Sequence, residues 1–127
     1  MASTTFSGPV TSTNGFIGAV TGNVTGNVTG GLIGSNQELS GAGAVNVTAL
    51  LTSLTTTGAS QALTLADGTV GQLKVIAHVV DGGSAVLTPT TKSGFATVTF
   101  TAAGDTLTLI YTVVGWCIVG GRGVTIV

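Results

Sequence analysis

The residues that could do chemistry are few, and three of them lie around one turn. His78, Asp81 and Ser84 are the residue types of a catalytic triad. A triad needs a nucleophile, a base within hydrogen-bond reach of it, and a third group that orients the base. No nucleophile-elbow pattern surrounds Ser84, and proximity in sequence is the only link between the three. We therefore expect no enzymatic activity, and we interpret His78 as a strand residue, either solvated or hydrogen-bonded at an interface.

Metal and cofactor binding are not expected within one chain. The sequence has one histidine, one cysteine and four scattered carboxylates, whereas a protein-made metal site needs clustered ligands. A metal on a threefold axis, with one ligand from each subunit, stays open as an alternative. We interpret Cys117, between Trp116 and Ile118, as a small buried apolar side chain.

The glycine-rich run at 120–123 resembles a phosphate-binding loop only in composition. Such a loop places phosphate at the N-terminus of a helix, and no helix-forming segment follows this run. A hairpin turn explains these glycines better. Arg122 would then lie at its tip, where it could pair with a carboxylate of a neighbouring subunit.

The second half of the chain predicts the architecture. In Ala96–Thr101 apolar residues alternate with threonines, which is the two-residue period of a half-buried strand. Comparable runs are Val45–Thr52, Gln61–Ala66, Gln72–Val80, Ala85–Pro89, Phe95–Thr101, Thr106–Thr112, Trp116–Val119 and Val124–Val127, with a loop at Ser53–Ser60. Short strands at this spacing predict an all-β fold, a compact antiparallel β-sandwich or barrel-like block over residues 45–127. A short helix over Ala49–Leu54 is the local alternative.

Residues 1–44 are predicted to form an extended N-terminal arm. It contains a Val-Thr-Gly-Asn repeat that begins at Val20, Val24 and Val28. In an extended chain Val and Gly share one face, and such a thin strand is stable only when copies pack together. Three copies around an axis explain the repeat, and so does a flexible linker. The expected assembly contacts are Phe6, Phe16, Ile17, Val20, Val24, Val28, Trp116 and Arg122.

Charge is scarce, which predicts an oligomer and excludes some partners. Charged residues make up 6 % of the chain, against roughly 25 % in typical soluble domains. A chain this apolar is expected to cover part of its surface with sister subunits. The three cations form no basic patch, so we expect no nucleic-acid binding. We expect no membrane span, because no apolar run is long enough, and no secretory signal at the N-terminus.

The turns and strands of residues 45–127 follow a recognisable sequence pattern. The stretches that carry the pattern are Asp67–Ile76, Asp81–Pro89, Gly94–Phe100, Gly104–Leu109 and the strand at Trp116. They resemble a β-rich module of structural proteins of tailed, cyanophage-like bacteriophages. The Val-Thr-Gly-Asn repeat is similar to segments of phage fibre and decoration proteins. The resemblance implies a virion component that forms a homotrimer, and it carries no catalytic residues.

Two virion roles compete. A chain of 127 residues with one short repeat favours a capsid decoration (cement) protein on the outside of the head. Such a protein would bind the major capsid protein through its arm and tie capsomers together. The alternative is a tail-fibre or spike subunit for host attachment. A third, non-viral class is a self-assembling surface or matrix protein.

Overall fold

The computed structural model describes residues 7, 8, 13 and 25–127, which belong to two units. The first unit spans Met1–Gly31 and the second spans Leu32–Val127. The described residues of the first unit form no strand, and Val28 is 68 % exposed there. Every strand lies in the second unit, and the described residues contain no helix. The prediction of an all-β fold is confirmed.

The second unit consists of two five-stranded sheets packed face to face. In chain order the strands are β1 (Asn36–Ser40), β2 (Gly43–Val45), β3 (Leu51–Thr55), β4 (Gln61–Leu65), β5 (Leu73–Val80), β6 (Ala85–Pro89), β7 (Val98–Phe100), β8 (Thr106–Thr112), β9 (Gly115–Arg122) and β10 (Thr125–Ile126). Sheet 1 has the order β1-β3-β5-β8-β9, and sheet 2 has the order β10-β7-β6-β4-β2.

The first six strands form a short two-sided coil. The chain alternates between the sheets, so each strand pairs with the strand two positions earlier, and all of these pairings are parallel. A parallel pair needs a long crossover, and here the crossover is a strand of the opposite sheet. Leu51 pairs with Val75, and Leu63 pairs with Leu87 on the other side. The expectation of purely antiparallel sheets is therefore corrected to two mixed sheets.

The last four strands close the coil with antiparallel pairing. β7 pairs with β6 in sheet 2, and β8 and β9 extend sheet 1 beyond β5. β10 then returns to sheet 2 beside β7. Since β9 and β10 lie in different sheets, the glycine-rich run at 120–123 is not the expected hairpin turn. Gly120, Gly121 and Arg122 belong to β9, and the chain turns at Gly123.

The core lies between the sheets and follows the two-residue alternation. In β8 the buried residues are Leu107 and Leu109, and in β4 they are Leu63 and Leu65. Phe100, Val98 and Leu87 complete the sheet 2 side, and all three are fully buried. Each such apolar side chain contributes roughly 1.5–3 kcal/mol when it leaves water.

Two boundaries differ from the sequence prediction. The compact unit begins at Leu32 instead of Val45, because β1 and β2 join the sheets as edge strands. Their apolar pattern is weak, since Leu39 is the one large apolar side chain of β1. The predicted strand Val45–Thr52 is interrupted by a loop over 46–50, and the predicted loop Ser53–Ser60 begins only at Thr56, because β3 covers Leu51–Thr55. The alternative helix over Ala49–Leu54 does not form.

Candidate functional site

The two faces of β5 are arranged against the usual rule. Lys74, Ile76 and His78 point into the core and are at most 1 % exposed. Leu73, Val75 and Ala77 alternate with them and therefore point away from sheet 2. The face that carries two ionisable side chains is buried, and the fully apolar face is outside. This inversion leaves apolar side chains on the outside of sheet 1.

Lys74 is buried, and its ammonium group is hydrogen-bonded to two backbone carbonyls. Its Nζ donates hydrogen bonds to the carbonyl oxygens of Asn46, at 2.9 Å, and Ala49, at 2.8 Å. Both carbonyls lie in the segment between β2 and β3, so the lysine fastens that segment to β5. Burial lowers the pKa of Lys74 from 10.5 to about 8, because leaving water disfavours the charged form. The arrangement is a structural clamp in which the ammonium group is occupied by backbone carbonyls.

His78 is held by the hydroxyl group of Thr56, whose other hydrogen bonds set the direction of the bond to the imidazole. The Thr56 Oγ1 lies 2.8 Å from the Gly83 carbonyl, 2.9 Å from the Gly82 amide nitrogen and 2.9 Å from His78 Nε2. A hydroxyl has one hydrogen to donate, and it points at the Gly83 carbonyl. His78 Nε2 must therefore donate to the Thr56 hydroxyl oxygen. The buried Nδ1 of His78 has no hydrogen-bond partner among the described residues.

Asp105 closes the turn between β7 and β8. Its Oδ2 accepts hydrogen bonds from the backbone amides of Thr101, at 2.8 Å, and Ala102, at 3.0 Å. Burial by itself raises the pKa of Asp105, but these amides, together with His78 and the Thr101 hydroxyl, hold the pKa below its usual 3.8. The stabilisation is present above pH 3.8 and is lost as pH falls through the lower folded-state pKa.

The structure does not assemble the triad considered from the sequence. Ser84 Oγ accepts a hydrogen bond from the amide of Ser60, and Asp81 Oδ1 accepts one from Gly83. His78 Nε2 is engaged by Thr56. The three side chains therefore serve three separate turn and strand contacts. His78 is a buried strand residue of β5. The expectation that it is solvated or lies at an interface is therefore corrected.

The outer face of sheet 1 carries a cluster of apolar side chains, interleaved with the hydroxyl side chains Ser53, Thr106 and Thr108. We define this outer apolar face as Leu51, Leu73, Val75, Ala77, Ile110 and Cys117. Register places Leu51 beside Val75, Leu73 beside Ile110, and Ile110 beside Cys117. Leu73 is 48 % exposed and the other members are half-buried. Cys117 therefore faces outward, and the expectation that it is buried is corrected.

Most of the charged side chains are committed to local contacts. Lys74 and Asp105 are bound as described above, and Asp81 accepts from Gly83. Asp67 accepts from the amide and hydroxyl of Thr91, and Lys92 donates to the Pro89 carbonyl. The side chains of Glu38 and Arg122 form no hydrogen bond or ion pair with the described residues. Both are exposed, on the two edge strands of sheet 1.

A groove of about 440 Å³ lies beside Glu38. Leu39, Ser40, Ser53, Thr55 and Val79 form the rest of its lining. It thus combines one carboxylate with hydroxyl groups and aliphatic carbons. A second groove, of about 460 Å³, lies at Val47–Thr48 and Asp67–Gln72. The Asp67 carboxylate in its lining is already satisfied by Thr91, so this second groove has no free charge to offer a ligand.

The residues predicted to make assembly contacts have different outcomes. Phe6, Phe16, Ile17, Val20 and Val24 lie outside the described residues. Val28 is exposed in the first unit, and Arg122 is exposed on β9.

Trp116 is a correction among these predicted contacts. It is fully buried in its own chain, its Nε1 donates to the Ala66 carbonyl at 2.9 Å, and its ring packs edge-on against Tyr111. Its position on the inner face of β9, opposite Tyr111, places it in the core.

The outer apolar face and the groove beside Glu38 were not predicted from the sequence. The signal was present in β5, where Leu73, Val75 and Ala77 alternate with Lys74 and His78. Pattern alone assigns the apolar side of such a strand to the core. Only the pairing of β5 with its neighbours shows which side is inside.

The described part of the chain has neither a metal-binding cluster nor a membrane-spanning helix. Among residues 25–127 and the three described before them, no three His, Cys, Asp or Glu side chains are grouped closely enough to hold a metal ion. The same part of the chain contains no helix that could cross a membrane. No protein-family model matches the chain, and no curated protein matches it.

Proposed function

We propose that this chain is a structural component of a bacteriophage virion, a decoration protein that forms homotrimers on the outer surface of the capsid. The observation that carries the proposal is the outer apolar face of sheet 1. A protein that buries Lys74 and His78 while Leu73 is exposed and Val75 only half-buried is built to place that face against protein. Its two sheets otherwise form a stable block with few charges.

The physical mechanism is multivalent attachment to the major capsid protein. Each chain contributes weak contacts, and linking several chains in one oligomer converts later contacts into intramolecular events. Avidity of this kind can strengthen binding by roughly 10²–10⁴ without any new contact. An oligomer that spans two capsomers would then hold them together. The uncharged segment before Leu32 is the proposed clamp, since an extended chain can add backbone hydrogen bonds to an exposed strand.

The coil of parallel strands supports a second candidate, a tail-fibre or spike subunit. Strands β1, β3 and β5 stack in parallel, as do β2, β4 and β6. Stacked units of this kind extend along an axis by simple repetition, which suits a shaft or spike. The two roles differ in where the protein is found and in how many copies each particle carries.

Imaging of native particles combined with quantitative protein analysis tests the two roles. A decoration protein is expected in many copies spread over the head, at a fixed ratio to the major capsid protein. Few copies confined to the tail would favour the fibre or spike role. Absence of the chain from purified particles would contradict both roles.

A further inference from the structure

Glu38 and Arg122 lie at opposite ends of one row across the outer face of sheet 1. Register pairs Glu38 with Ser53, Ser53 with Ala77, Ala77 with Thr106, and Thr106 with Arg122. Four strand spacings of about 4.8 Å separate the two charges by roughly 19 Å, which is too far for an ion pair within the chain. An acid at one edge and a base at the other make opposite edges of two copies complementary.

The groove beside Glu38 has the size and chemistry to receive an arginine. Its hydroxyl groups can accept hydrogen bonds from a guanidinium, and its aliphatic carbons can pack against the methylene stem. In the single chain the Arg122 guanidinium lies beside Gly104 in the turn between β7 and β8, and small residues surround it on β9. Its neighbours Gly120 and Gly121 carry no side chains, and a Cβ at Gly120 would meet nothing within 4 Å.

We propose that three copies of this chain assemble around an axis parallel to the strands of sheet 1, with the outer apolar face directed inward and Arg122 of each copy seated in the Glu38 groove of the next. The inference rests on the proposed function, and it gives the proposed homotrimer an interface. Glu38 and Arg122 would align each copy with the next.

A closed ring fits the surface better than a pair of copies face to face. A pair would cover the outer apolar face but would leave the edges of β1 and β9 open, and open strand edges are prone to uncontrolled pairing. A ring places each β1 edge beside a β9 edge. Three sheets, each about 24 Å wide, enclose a triangle whose sides lie about 7 Å from the axis. Leu, Val and Thr side chains of the three faces can fill that space.

Charge reversal in the full-length chain tests the inference. Sedimentation equilibrium of the wild type and of Glu38→Arg, Arg122→Glu and the double variant gives the mass of each complex. We expect a trimer for the wild type, at least a tenfold rise in the dissociation constant for each single variant, and recovery in the double variant. Lys92→Glu makes the same charge change as Arg122→Glu away from the face, and it should leave the trimer intact. Circular dichroism checks that each variant is folded.

Mixing the two single variants separates a ring of three from a face-to-face pair. In a pair, Glu38→Arg and Arg122→Glu together restore both contacts, so the mixture should reassemble fully. In a ring of three, two copies of the same variant must meet at one junction, so the mixture stays weakened. Full recovery on mixing would overturn the ring. Association that is equally strong in all variants, or a monomeric wild type, would overturn the interface.

The outcome can be separated from that of the proposed function. A trimer that depends on Glu38 and Arg122 but is absent from purified particles would sustain the interface and contradict the virion role. A chain found on capsids whose self-association ignores both residues would sustain the role and contradict the interface.

Discussion

Lys74 and Asp105 show how an almost uncharged chain uses the charges it has. Each fixes a segment of backbone, and each is satisfied by main-chain groups instead of an opposite charge. A buried charge without partners is very costly, and backbone carbonyls or amides remove much of that cost. These residues therefore hold loops in place, and their replacement should change stability before it changes any activity.

Lys74 should make stability depend on pH in the alkaline range. Its folded-state pKa is about 8 and its ordinary value is 10.5, so between these values the unfolded chain binds more protons. Stability contributed by this group therefore rises as pH increases through that window. Urea unfolding of the wild type at pH 8 and pH 10.5, compared with Lys74→Met, measures the effect.

The Lys74→Met variant should lose this rise and be less stable at neutral pH by about 1–3 kcal/mol, because two carbonyls lose their donor. Other groups that titrate in this range, Tyr111 among them, are common to both proteins and cancel in the comparison. An equal alkaline rise in both proteins would contradict the assignment to Lys74.

Thr56 should stabilise the fold through the hydrogen bonds of its hydroxyl group and not through the shape of its side chain. Thr56→Val removes the partner of His78 Nε2, of the Gly82 amide and of the Gly83 carbonyl. We expect a loss of about 1–3 kcal/mol in the free energy of unfolding. Thr56→Ser keeps the hydroxyl and should recover most of that loss. Chemical denaturation of both variants provides the measurement, and equal losses would argue against the network.

At the scale of single residues, the sequence identified which side chains are unusual but not where they point. His78 was correctly placed on a strand, and its strand is β5. Its burial, and that of Lys74, could not be predicted because an alternating strand with apolar residues on both sides has two possible insides. The choice is made by the strands that pair with β5.

The connection between β9 and β10 is tightly constrained at Gly123. Gly123 has φ +76°, and a Cβ there would lie 1.9 Å from Asp105 Oδ1. The close approach lets the chain pass from sheet 1 to sheet 2 over the turn that Asp105 closes. The glycine is required by this approach and by its positive φ.

Gly123→Ala and Gly120→Ala form a matched pair at this connection. Gly123→Ala should lower the free energy of unfolding by about 1–3 kcal/mol through backbone strain and contact with Asp105. Gly120→Ala meets open space and should change it little. Thermal unfolding of the two variants shows the difference, and similar midpoints would contradict the proposed constraint.

Strands were predictable where the apolar pattern is strong. β4, β5, β6 and β8 lie within runs recognised from alternation alone. β1 and β2 were missed because their residues are small or polar, and the parallel pairing was missed because it joins strands two apart in the chain. Local pattern carries no information on that pairing, which is set by how the connections pass from one sheet to the other.

For the whole molecule, the segment before Leu32 should be needed for attachment and not for folding. Among the described residues, all strands and the core lie in Leu32–Val127. Deletion of Met1–Gly31 should therefore leave the thermal unfolding midpoint nearly unchanged while it reduces binding to purified capsids. A co-sedimentation assay with wild-type protein as control measures that binding. Unchanged stoichiometry and strength would exclude the segment as the clamp.

The proposed assembly also accounts for the small number of charges in the chain. Its surface includes the outer apolar face, and Glu38 and Arg122 are the charged side chains left without a local contact among the described residues. In the proposed trimer, sister copies would cover this face, and contacts between Glu38 and Arg122 would favour one alignment of neighbouring copies.

The native mass of the unmodified full-length chain tests this central claim most directly. Sedimentation equilibrium at low micromolar concentration should give a closed trimer of about 37 kDa, three times the 12.3 kDa of one chain. A stable, soluble monomer of 12.3 kDa under these conditions would contradict the account, because the outer apolar face would then need no partner.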